Sequence, residues 1–319
     1  MSDLPKSVSI SELAPREGFQ IENAVIPTAD KIALIDALST TGVRSIEVTS
    51  FVNPKKVPGT ADAEAVVAGL KPNPQIAYRG VWFNRRGAER ALATQRLEVT
   101  GLVRLYSSPT FLRRNLDRAF AEQPKLVRDD LQACRELGVP VDRAVITTAF
   151  GCNFEGDIPQ SRIMDLLAQA LDLAQAEGFK VKTLSLADTM AWGTPAAVKS
   201  LVGRIRSAYP DLDIHLHLHD TRGLGLANAF AGLEMGVSSF DTSVGGLGGC
   251  PFAEHHGAAG NVCTEDFVFM CEEMGIATGI DLERMIEAAR LAERIVGHPL
   301  PGAVKEGGTL ARPSQLERA

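Results

Sequence analysis

The chain has 319 residues, of which 45% are apolar and 23% charged, a balance typical of a soluble globular protein. This length suits either two ordinary domains or one large α/β barrel. The net charge of −6, with Lys and Arg scattered along the chain, argues against nucleic acid or an anionic membrane as the main partner.

The ends of the sequence and its cysteines predict a cytoplasmic location. The first ten residues contain no apolar signal region, and no apolar run reaches the length of a membrane span. The five cysteines are dispersed and form no C-x-x-C pair, which fits a reducing compartment and disfavours a thiolate zinc site. They are residues 134, 152, 250, 263 and 271.

One pattern repeats along the chain: a short β-branched run that ends in polar residues, followed by an amphipathic stretch. The runs predict eight strands, at residues 7–17, 44–51, 76–84, 97–108, 143–150, 181–189, 213–220 and 238–246. Helix-period segments, several of them closed by glycine, lie at 28–42, 126–138, 162–178, 194–209, 226–236 and 264–275.

This alternation predicts a (β/α)₈ TIM barrel as the simplest fold. A doubly wound sheet is the alternative, but no G-x-G-x-x-G follows the first strand. Residues 281–297 predict an extra C-terminal helix, and the tail from about Val304 is expected to be loosely ordered. Because no internal linker is rich in Pro, Gly or Ser, residues 1–319 are predicted to form a single domain.

Residues 215–220, HLHLHD, predict a metal site. In a strand the three histidines would point to one face and the leucines to the other. Two imidazoles two residues apart, with Asp220 at the strand end, can occupy adjacent corners of a divalent metal. The alternative is an ordinary strand with a histidine-rich face. Three of the six histidines fall in this short segment, which favours the metal site.

In a barrel of this type the chemistry lies where strands give way to the following loops. Polar residues occupy these positions in strand after strand. They are Arg16, Glu17, Glu47, Ser50, Asn84, Thr147, Thr148, Asp188, Thr189, His217, His219 and Asp220. After the eighth strand comes a glycine-rich segment, GGLGGCPFAEHHGAAGN, which carries Cys250 and Asn261.

Seven motifs, in order from about residue 8 to about residue 290, resemble 3-hydroxy-3-methylglutaryl-CoA lyase and its relatives. They are PREGFQ (15–20), IEVTSFVNPKKVPGTAD (46–62), FGCNFEG (150–156), LADT (186–189), HLHDTRGLGLAN (217–228), GGLGGCPFA (245–253) and GNVCTED (260–266). Those enzymes are metal-dependent barrels that cleave or form carbon–carbon bonds next to a carbonyl. VTSFVNPK and GGLGGCPFA favour the lyase branch over the isopropylmalate synthases.

The resemblance implies a role for each matching residue. Four would bind a divalent cation, Mg²⁺ or Mn²⁺: Glu17, His217, His219 and Asn261. Four would carry the chemistry: Arg16 over the thioester oxygen, Cys250 as a mobile proton donor, and Glu47 and Asp188 lining the reacting centre. The resemblance also implies an acyl-CoA substrate, and the chain is expected to form a homo-oligomer, a dimer or a tetramer.

The chemistry of a retro-Claisen cleavage agrees with those roles. A metal on the hydroxyl oxygen lowers the pKa of the alcohol. A fixed guanidinium, here that of Arg16, stabilises the enolate oxygen as its charge develops. A thiol flanked by glycines, here that of Cys250, suits protonation of the enolate carbon. The expected reaction cleaves a 3-hydroxy-3-methylglutaryl-CoA-like thioester to acetyl-CoA and a keto acid.

Several alternatives stay open. Arg16 could form a structural salt bridge, Cys250 could fill buried space, and Asn261 could make a turn. The family has Asp where this chain has Glu17, and Trp192 stands where small or aliphatic residues are usual. These departures favour a related substrate, such as a citramalyl-CoA or a longer-chain hydroxyglutaryl-CoA. A catalytically silent relative that binds metal or acyl-CoA is the third hypothesis.

Overall fold

The computed structural model describes residues 4–22, 24–249 and 260–310. Eight strands run parallel, and each overlaps its predicted segment. They are β1 (Ser9–Glu12), β2 (Ser45–Ser50), β3 (Ala77–Val81), β4 (Gly101–Tyr106), β5 (Val141–Thr147), β8 (Thr183–Ala187), β9 (Asp213–His217) and β10 (Ser239–Thr242). A small antiparallel hairpin, β6 (Gly151–Cys152) and β7 (Gly156–Asp157), follows β5 and was not predicted.

The strand order is that of a (β/α)₈ barrel. Neighbouring strands pair in the order β3-β2-β1-β10-β9-β8-β5-β4, so β1 lies between β2 and the last strand of the chain. The backbone N–H of Glu98, just before β4, donates to the carbonyl of Tyr78 in β3 at 2.8 Å. This bond links the two ends of the order. The predicted barrel is therefore confirmed, and the carboxyl ends of all eight strands face the same rim.

Helices connect the strands and cover the outside of the sheet. The main ones are α1 (Thr28–Leu38), α2 (Ala63–Gly69), α3 (Arg85–Ala93), α4 (Pro109–Leu116), α5 (Gln123–Leu137), α6 (Gln160–Ala176), α7 (Pro195–Ala208), α8 (Gly225–Glu234), α9 (Thr264–Glu273) and α10 (Leu282–Val296). Helix α10 is the predicted extra C-terminal helix. None of the helices in the described part of the chain has the length and apolar character that crossing a membrane requires.

Close packing of α8 fixes the position of β9. Gly232 of α8 lies so near the strand that a Cβ there would be 2.5 Å from Leu216 Cδ1. Leu216 is fully buried, and only a few per cent of the surface of Ile214 is exposed. Burial of each such side chain stabilises the fold by about 1.5–3 kcal/mol. Leu216→Ala is therefore expected to cost about 2–5 kcal/mol and to loosen the strand that carries His217.

The C-terminal segment differs from the prediction of a loosely ordered tail from Val304. Residues Val304–Gly307 form a short helix, α11, and the side chain of Lys305 is buried. Its Nζ lies 2.7 Å from Oε2 of Glu293 in α10. This ion pair attaches the segment to α10. The part of the predicted tail from residue 311 onward lies outside the described residues.

Candidate metal centre and active site

The first part of the site is a single π-helical turn, Ala14–Gly18, directly after β1. Pro15 has no N–H to continue a sheet ladder, so the strand ends at Glu12 and the chain coils instead. The prediction of a strand through residue 17 was therefore wrong in its second half. Single π turns of this kind occur mostly at functional sites. This one carries Arg16 and Glu17 side by side, with Arg16 Nη2 3.0 Å from Glu17 Oε2.

The second part is the end of β9. The strand stops at His217, and His219 forms an isolated antiparallel bridge with Asn261. His215 does not join the other two histidines. Its Nδ1 lies 2.7 Å from Ser239 Oγ and its Nε2 lies 2.9 Å from Asp241 Oδ1, one layer below the rim. Of the three histidines that were predicted to share one face, only His217 and His219 therefore lie at the candidate metal site.

Glu17 is the point on which these segments converge. Its Oε1 lies 3.1 Å from His219 Nε2 and 3.6 Å from His217 Nε2, and Asn261 Nδ2 donates to it at 3.3 Å. The ligand atoms of Glu17, His217 and His219 all lie within 4.8 Å of one another. Because Mg²⁺ bonds its ligands at about 2.0–2.1 Å, adjacent ligands of one ion are about 3 Å apart. The 3.1 Å contact between Glu17 and His219 matches that spacing, and the 3.6 Å contact between Glu17 and His217 is somewhat longer.

Hydrogen bonds fix the orientation of both imidazoles. His219 Nδ1 lies 3.0 Å from each of the carbonyl oxygens of Asp188 and Thr189, which can only accept, so Nδ1 carries the proton. His217 Nδ1 donates in the same way to Asp241 Oδ2 at 3.0 Å. Both rings therefore turn Nε2 toward Glu17, the arrangement that holds metal-binding histidines in metalloproteins.

The charges of the cluster suit a cation. Burial alone would raise the pKa of Glu17, but Arg16 and the two histidines outweigh it and hold that pKa well below its usual range. Burial lowers the pKa of His217, yet Glu17 and Asp241 outweigh it and raise the value to about 9. A cation that binds here must therefore displace a proton from His217.

Asn261 supplies a further test of fit. Its Oδ1 is buried and has no hydrogen-bond partner among the described residues. An unpaired buried acceptor is costly unless a ligand satisfies it. Together with one carboxylate and two imidazoles, an amide oxygen makes a donor set without thiolates, which suits Mg²⁺ or Mn²⁺. The residues present therefore fit a hard divalent cation.

Arg16 lies beside the cluster, held by a second carboxylate. Its Nε forms a short hydrogen bond with Glu47 Oε1, and its side chain is 17% exposed. Burial raises the pKa of Glu47, with Arg16 opposing it and Asp241 adding to it. Glu47 stands at a register shift between β2 and β3, where an irregular strand can redirect a side chain. Arg16 is therefore fixed between two carboxylates with one edge near solvent.

The chain before Cys250 passes over the cluster. Gly248 has φ of +104°, and a Cβ there would lie 2.3 Å from Asn261 Nδ2 and 3.4 Å from Glu17 Cγ. Only glycine fits this conformation and this close approach. Cys250 itself lies outside the described residues, so its predicted role stays a prediction.

Comparison with known proteins agrees with this geometry. The family model described as HMGL-like matches residues 7–292. The chain belongs to the HMGL-like family. It is 38% identical over 297 residues to the hydroxymethylglutaryl-CoA lyase YngG of Bacillus subtilis, an alignment that covers 93% of this chain and 96% of that protein. It is 38% identical over 288 residues to the mitochondrial enzyme of Rattus norvegicus, covering 90% and 85%.

Solved structures of the family match the whole fold. The crystal structure of the Bacillus subtilis HMG-CoA lyase gives a TM-score of 0.85 at 36% identity and covers 99% of both chains. An HMG-CoA lyase from Acinetobacter baumannii, in complex with coenzyme A and 3-methylmalate, gives a TM-score of 0.85 at 36% identity. That match covers 96% of this chain and 98% of the other.

Most of the residues that family resemblance predicted do come together. Six of them lie in or beside the cluster: Arg16, Glu17, Glu47, His217, His219 and Asn261. Asp188 lies one layer behind His219, and its carboxylate accepts the N–H groups of Trp192 and Gly193 at 2.8 and 3.0 Å. Its predicted place at the reacting centre is untested, and the contacts shown are those of a supporting residue.

Other residues at the strand ends have structural partners instead. Asn84 caps α3, where its Oδ1 accepts the N–H of Gly87 at 3.0 Å. Asp220 Oδ1 accepts the N–H of Gly225 at 2.6 Å, which fixes the start of α8 and takes Asp220 away from the cluster. Asp220, noted at the end of the histidine strand, therefore has a backbone partner at the start of α8.

Sequence reasoning missed Asp241, the carboxylate that orients His217. Asp241 of β10 is paired in register with His217 of β9, so the two side chains lie next to each other across the ladder. The pKa of Asp241 is held well below its usual range, because His215 and His217 together outweigh its burial. Placing the FDT of β10 beside the HLH of β9, with Asp241 opposite His217, would have revealed the pair.

Proposed function

We propose that this chain is a divalent-metal-dependent lyase that cleaves 3-hydroxy-3-methylglutaryl-CoA to acetyl-CoA and a keto acid. The observation that carries the proposal is the convergence of Glu17, His217 and His219 beside Arg16, next to an Asn261 whose buried Oδ1 has no hydrogen-bond partner among the described residues. The names of the relatives support the reaction, and the coenzyme A complex of the Acinetobacter enzyme supports an acyl-CoA substrate.

Glu17, His217, His219 and Asn261 would hold the cation, as Mg²⁺ or Mn²⁺. When bound, it would supply Lewis acidity that lowers the pKa of the tertiary hydroxyl group of the substrate. Asp241 and the carbonyls of Asp188 and Thr189 keep the imidazoles in the required tautomer.

Arg16 would stabilise the enolate that forms when the carbon–carbon bond breaks. The electron pair of that bond passes to the acetyl carbon, and its charge spreads to the thioester oxygen. A guanidinium already held between Glu17 and Glu47 does not have to reorganise to meet that charge. Cys250 would then donate its thiol proton to the enolate carbon, which gives acetyl-CoA, and the thiolate would take up a proton in place of the one that the hydroxyl group lost.

The test is an assay of the purified protein with 3-hydroxy-3-methylglutaryl-CoA and either Mg²⁺ or Mn²⁺. Release of acetyl-CoA and a keto acid in equal amounts is expected, and excess EDTA should abolish it. Metal binding without turnover on any hydroxyacyl-CoA would favour a silent relative and contradict the proposal.

One observation favours a related substrate as the second candidate. Trp192 lies on the loop after β8, where its Nε1 donates to Asn153 Oδ1 at 2.6 Å and its ring packs on Gly151. Asp188 also binds its backbone N–H, so the indole is held rigidly at the rim. A pocket altered by one or two methylenes changes selectivity by about 1–3 kcal/mol.

A panel of thioesters decides between the two candidates. If Trp192 sets the preference, a citramalyl-CoA or a longer-chain hydroxyglutaryl-CoA should have the higher kcat/KM, and Trp192→Val should shift it toward 3-hydroxy-3-methylglutaryl-CoA. A wide preference of the unmodified protein for the latter thioester would exclude the second candidate.

Assembly into a dimer or tetramer and a cytoplasmic location complete the proposal. Light scattering on the purified protein tests the first, and fractionation of cells that express it tests the second.

A further inference from the structure

Glu12, the last residue of β1, is completely buried and bonds three separate segments of the chain. Its Oε1 accepts the N–H of Ala14 at 2.9 Å and the N–H of Val244 at 3.0 Å. Its Oε2 accepts the hydroxyl proton of Thr264 at 2.7 Å. A glutamate without direct contact to the metal cluster thus takes part in three buried hydrogen bonds next to it.

Two of those segments lead straight to the cluster. Ala14 begins the π-helical turn that carries Arg16 and Glu17. Thr264 begins α9, three positions after Asn261 in the sequence. Displacement of either segment would move a side chain that is assigned to the cation.

The third segment is the start of the glycine-rich stretch. Val244 opens the 3₁₀ turn Val244–Gly246, and the chain then continues to Gly248, which packs on Asn261 and Glu17. Ser243, the residue before Val244, is extended at φ −142° and ψ 124°. This conformation directs the N–H of Val244 toward Glu12. Glu12 therefore sets where this stretch departs from the barrel.

We propose that Glu12 is a positioning residue, which holds the π turn, the start of the glycine-rich stretch at Val244 and the chain that follows Asn261 in one fixed arrangement. Two of its partners are backbone N–H groups, which can only donate, so a side-chain oxygen has to accept at this position. An apolar side chain of the same size would leave two buried N–H groups unpaired. This inference rests on the proposed function, but the expected change in metal affinity can be measured whether or not the chain catalyses that reaction.

Glu265 provides a matched control. It is also completely buried, and its Oε2 accepts the N–H of Gly245 at 3.0 Å, so it contacts the same glycine-rich stretch. Within the described residues its carboxylate has no bond to the π turn. Loss of a buried glutamate in general can thus be separated from loss of the link that Glu12 makes.

The experiment compares four variants: Glu12→Met, Glu12→Gln, Val244→Pro and Glu265→Met. Affinity for Mn²⁺ is measured by calorimetry on metal-free protein, and kcat and KM are measured on the Mn²⁺-loaded protein. Glu12→Met should lose about tenfold or more in Mn²⁺ affinity, and kcat should fall about 100-fold with little change in KM. Glu12→Gln keeps an oxygen for both N–H groups and should restore most of each loss.

Val244→Pro removes the N–H that bonds Glu12 to the glycine-rich stretch and leaves the N–H of Ala14 in place. An extended Ser243 tolerates a following proline. The substitution should lower kcat and leave Mn²⁺ affinity unchanged, and Glu265→Met should also leave Mn²⁺ affinity unchanged. A folded Glu12→Met with native affinity and kcat overturns the proposal.

If Glu12→Met does not fold, Val244→Pro decides, and a native kcat in that variant overturns the proposal. Absence of turnover in the unmodified protein would instead contradict the proposed function, and the Mn²⁺ affinities would still test Glu12.

Discussion

His219 Nε2 lies 3.1 Å from Glu17 Oε1, although the two residues are 202 positions apart in the sequence. The lone pair of the imidazole and that of the carboxylate point at each other because the carbonyls of Asp188 and Thr189 occupy the opposite nitrogen. Two acceptors held this close repel unless a proton or a cation lies between them. A proton on His219 Nε2 or a bound cation would remove that repulsion.

Adding Mn²⁺ to the metal-free protein should raise its free energy of unfolding. A ligand that binds only the folded chain stabilises it by about 2.7 kcal/mol at 100 times its dissociation constant. His219→Ala should lose most of that gain, whereas His298→Ala, at an exposed histidine paired with Glu22, should keep it. Urea unfolding with and without Mn²⁺ measures the difference. An equal gain in all three proteins would place the cation elsewhere.

Asp241→Asn should weaken Mn²⁺ binding about 10–100-fold, because the amide no longer favours the tautomer of His217 that offers Nε2 to a cation. Calorimetry on metal-free protein is the measurement. Ser239→Ala is the control, since it removes only the contact with His215 Nδ1. Native affinity in Asp241→Asn would limit this carboxylate to a structural role.

Arg16→Gln should reduce kcat by about 10²–10³ with a much smaller change in KM, because Arg16 is assigned to charge that develops in the transition state. Arg79→Gln is a matched control, since Arg79 of β3 pairs with Glu98, just before the neighbouring strand β4. Steady-state kinetics on both variants make the comparison. A raised KM with near-normal kcat would make Arg16 a residue of substrate binding.

Cys250→Ser should keep Mn²⁺ affinity while turnover drops about 100-fold or more, the usual scale for loss of a general acid. Alkylation should inactivate through this thiol, because the four cysteines in the described part of the chain are all buried. Mass spectrometry of the alkylated protein identifies the site, and bound substrate should slow the reaction. Full activity of the serine variant would return Cys250 to a structural role.

Glu265 should give the stability of the protein a distinct pH dependence. Burial raises the pKa of Glu265 from 4.5 to about 7. Between these values the folded chain binds more protons than the unfolded chain, so this group lowers stability as pH rises. Glutamine does not titrate, so Glu265→Gln should gain up to about 3 kcal/mol over the unmodified protein from pH 4.5 to 8.

Urea unfolding across that pH range measures the gain. Glu287→Gln, at an exposed position on α10, is the control. Its free energy of unfolding should change with pH in the same way as that of the unmodified protein. Parallel curves for Glu265→Gln as well would show that Glu265 titrates alike in the folded and unfolded chains.

The sequence was informative wherever one residue type recurs with the period of an element. Alternating leucines and histidines in β9 identified both the strand and two of the proposed ligands, and polar residues at strand ends predicted which rim carries the site. Barrel topology follows from that repetition, because parallel strands joined by helices have few other arrangements.

What remained hidden depends on contacts between distant segments. The first strand was predicted to run through residue 17, and nothing in the sequence indicated that a π turn would place Arg16 against Glu47. Asp241 and Glu12 look like ordinary strand residues until the register of β10 against β9 and β1 is known. His215 repeats the pattern of His217, but it lies one layer further from the rim. Its Nδ1 is there within hydrogen-bond distance of Ser239 Oγ.

The position of β1 in the barrel has a consequence for synthesis of the protein. Its partner on one side is β10, with Ser9 aligned to Ser239, so 239 − 9 = 230 residues separate the paired positions. At about 5–20 residues per second, a ribosome needs on the order of 10–50 seconds to deliver that partner. Until then the edge of β1 and the carboxylate of Glu17 have no permanent neighbour on that side. The nascent chain therefore completes the proposed cation site only after His217, His219 and Asn261 have been synthesised, and binding of Mn²⁺ would report that the barrel has closed.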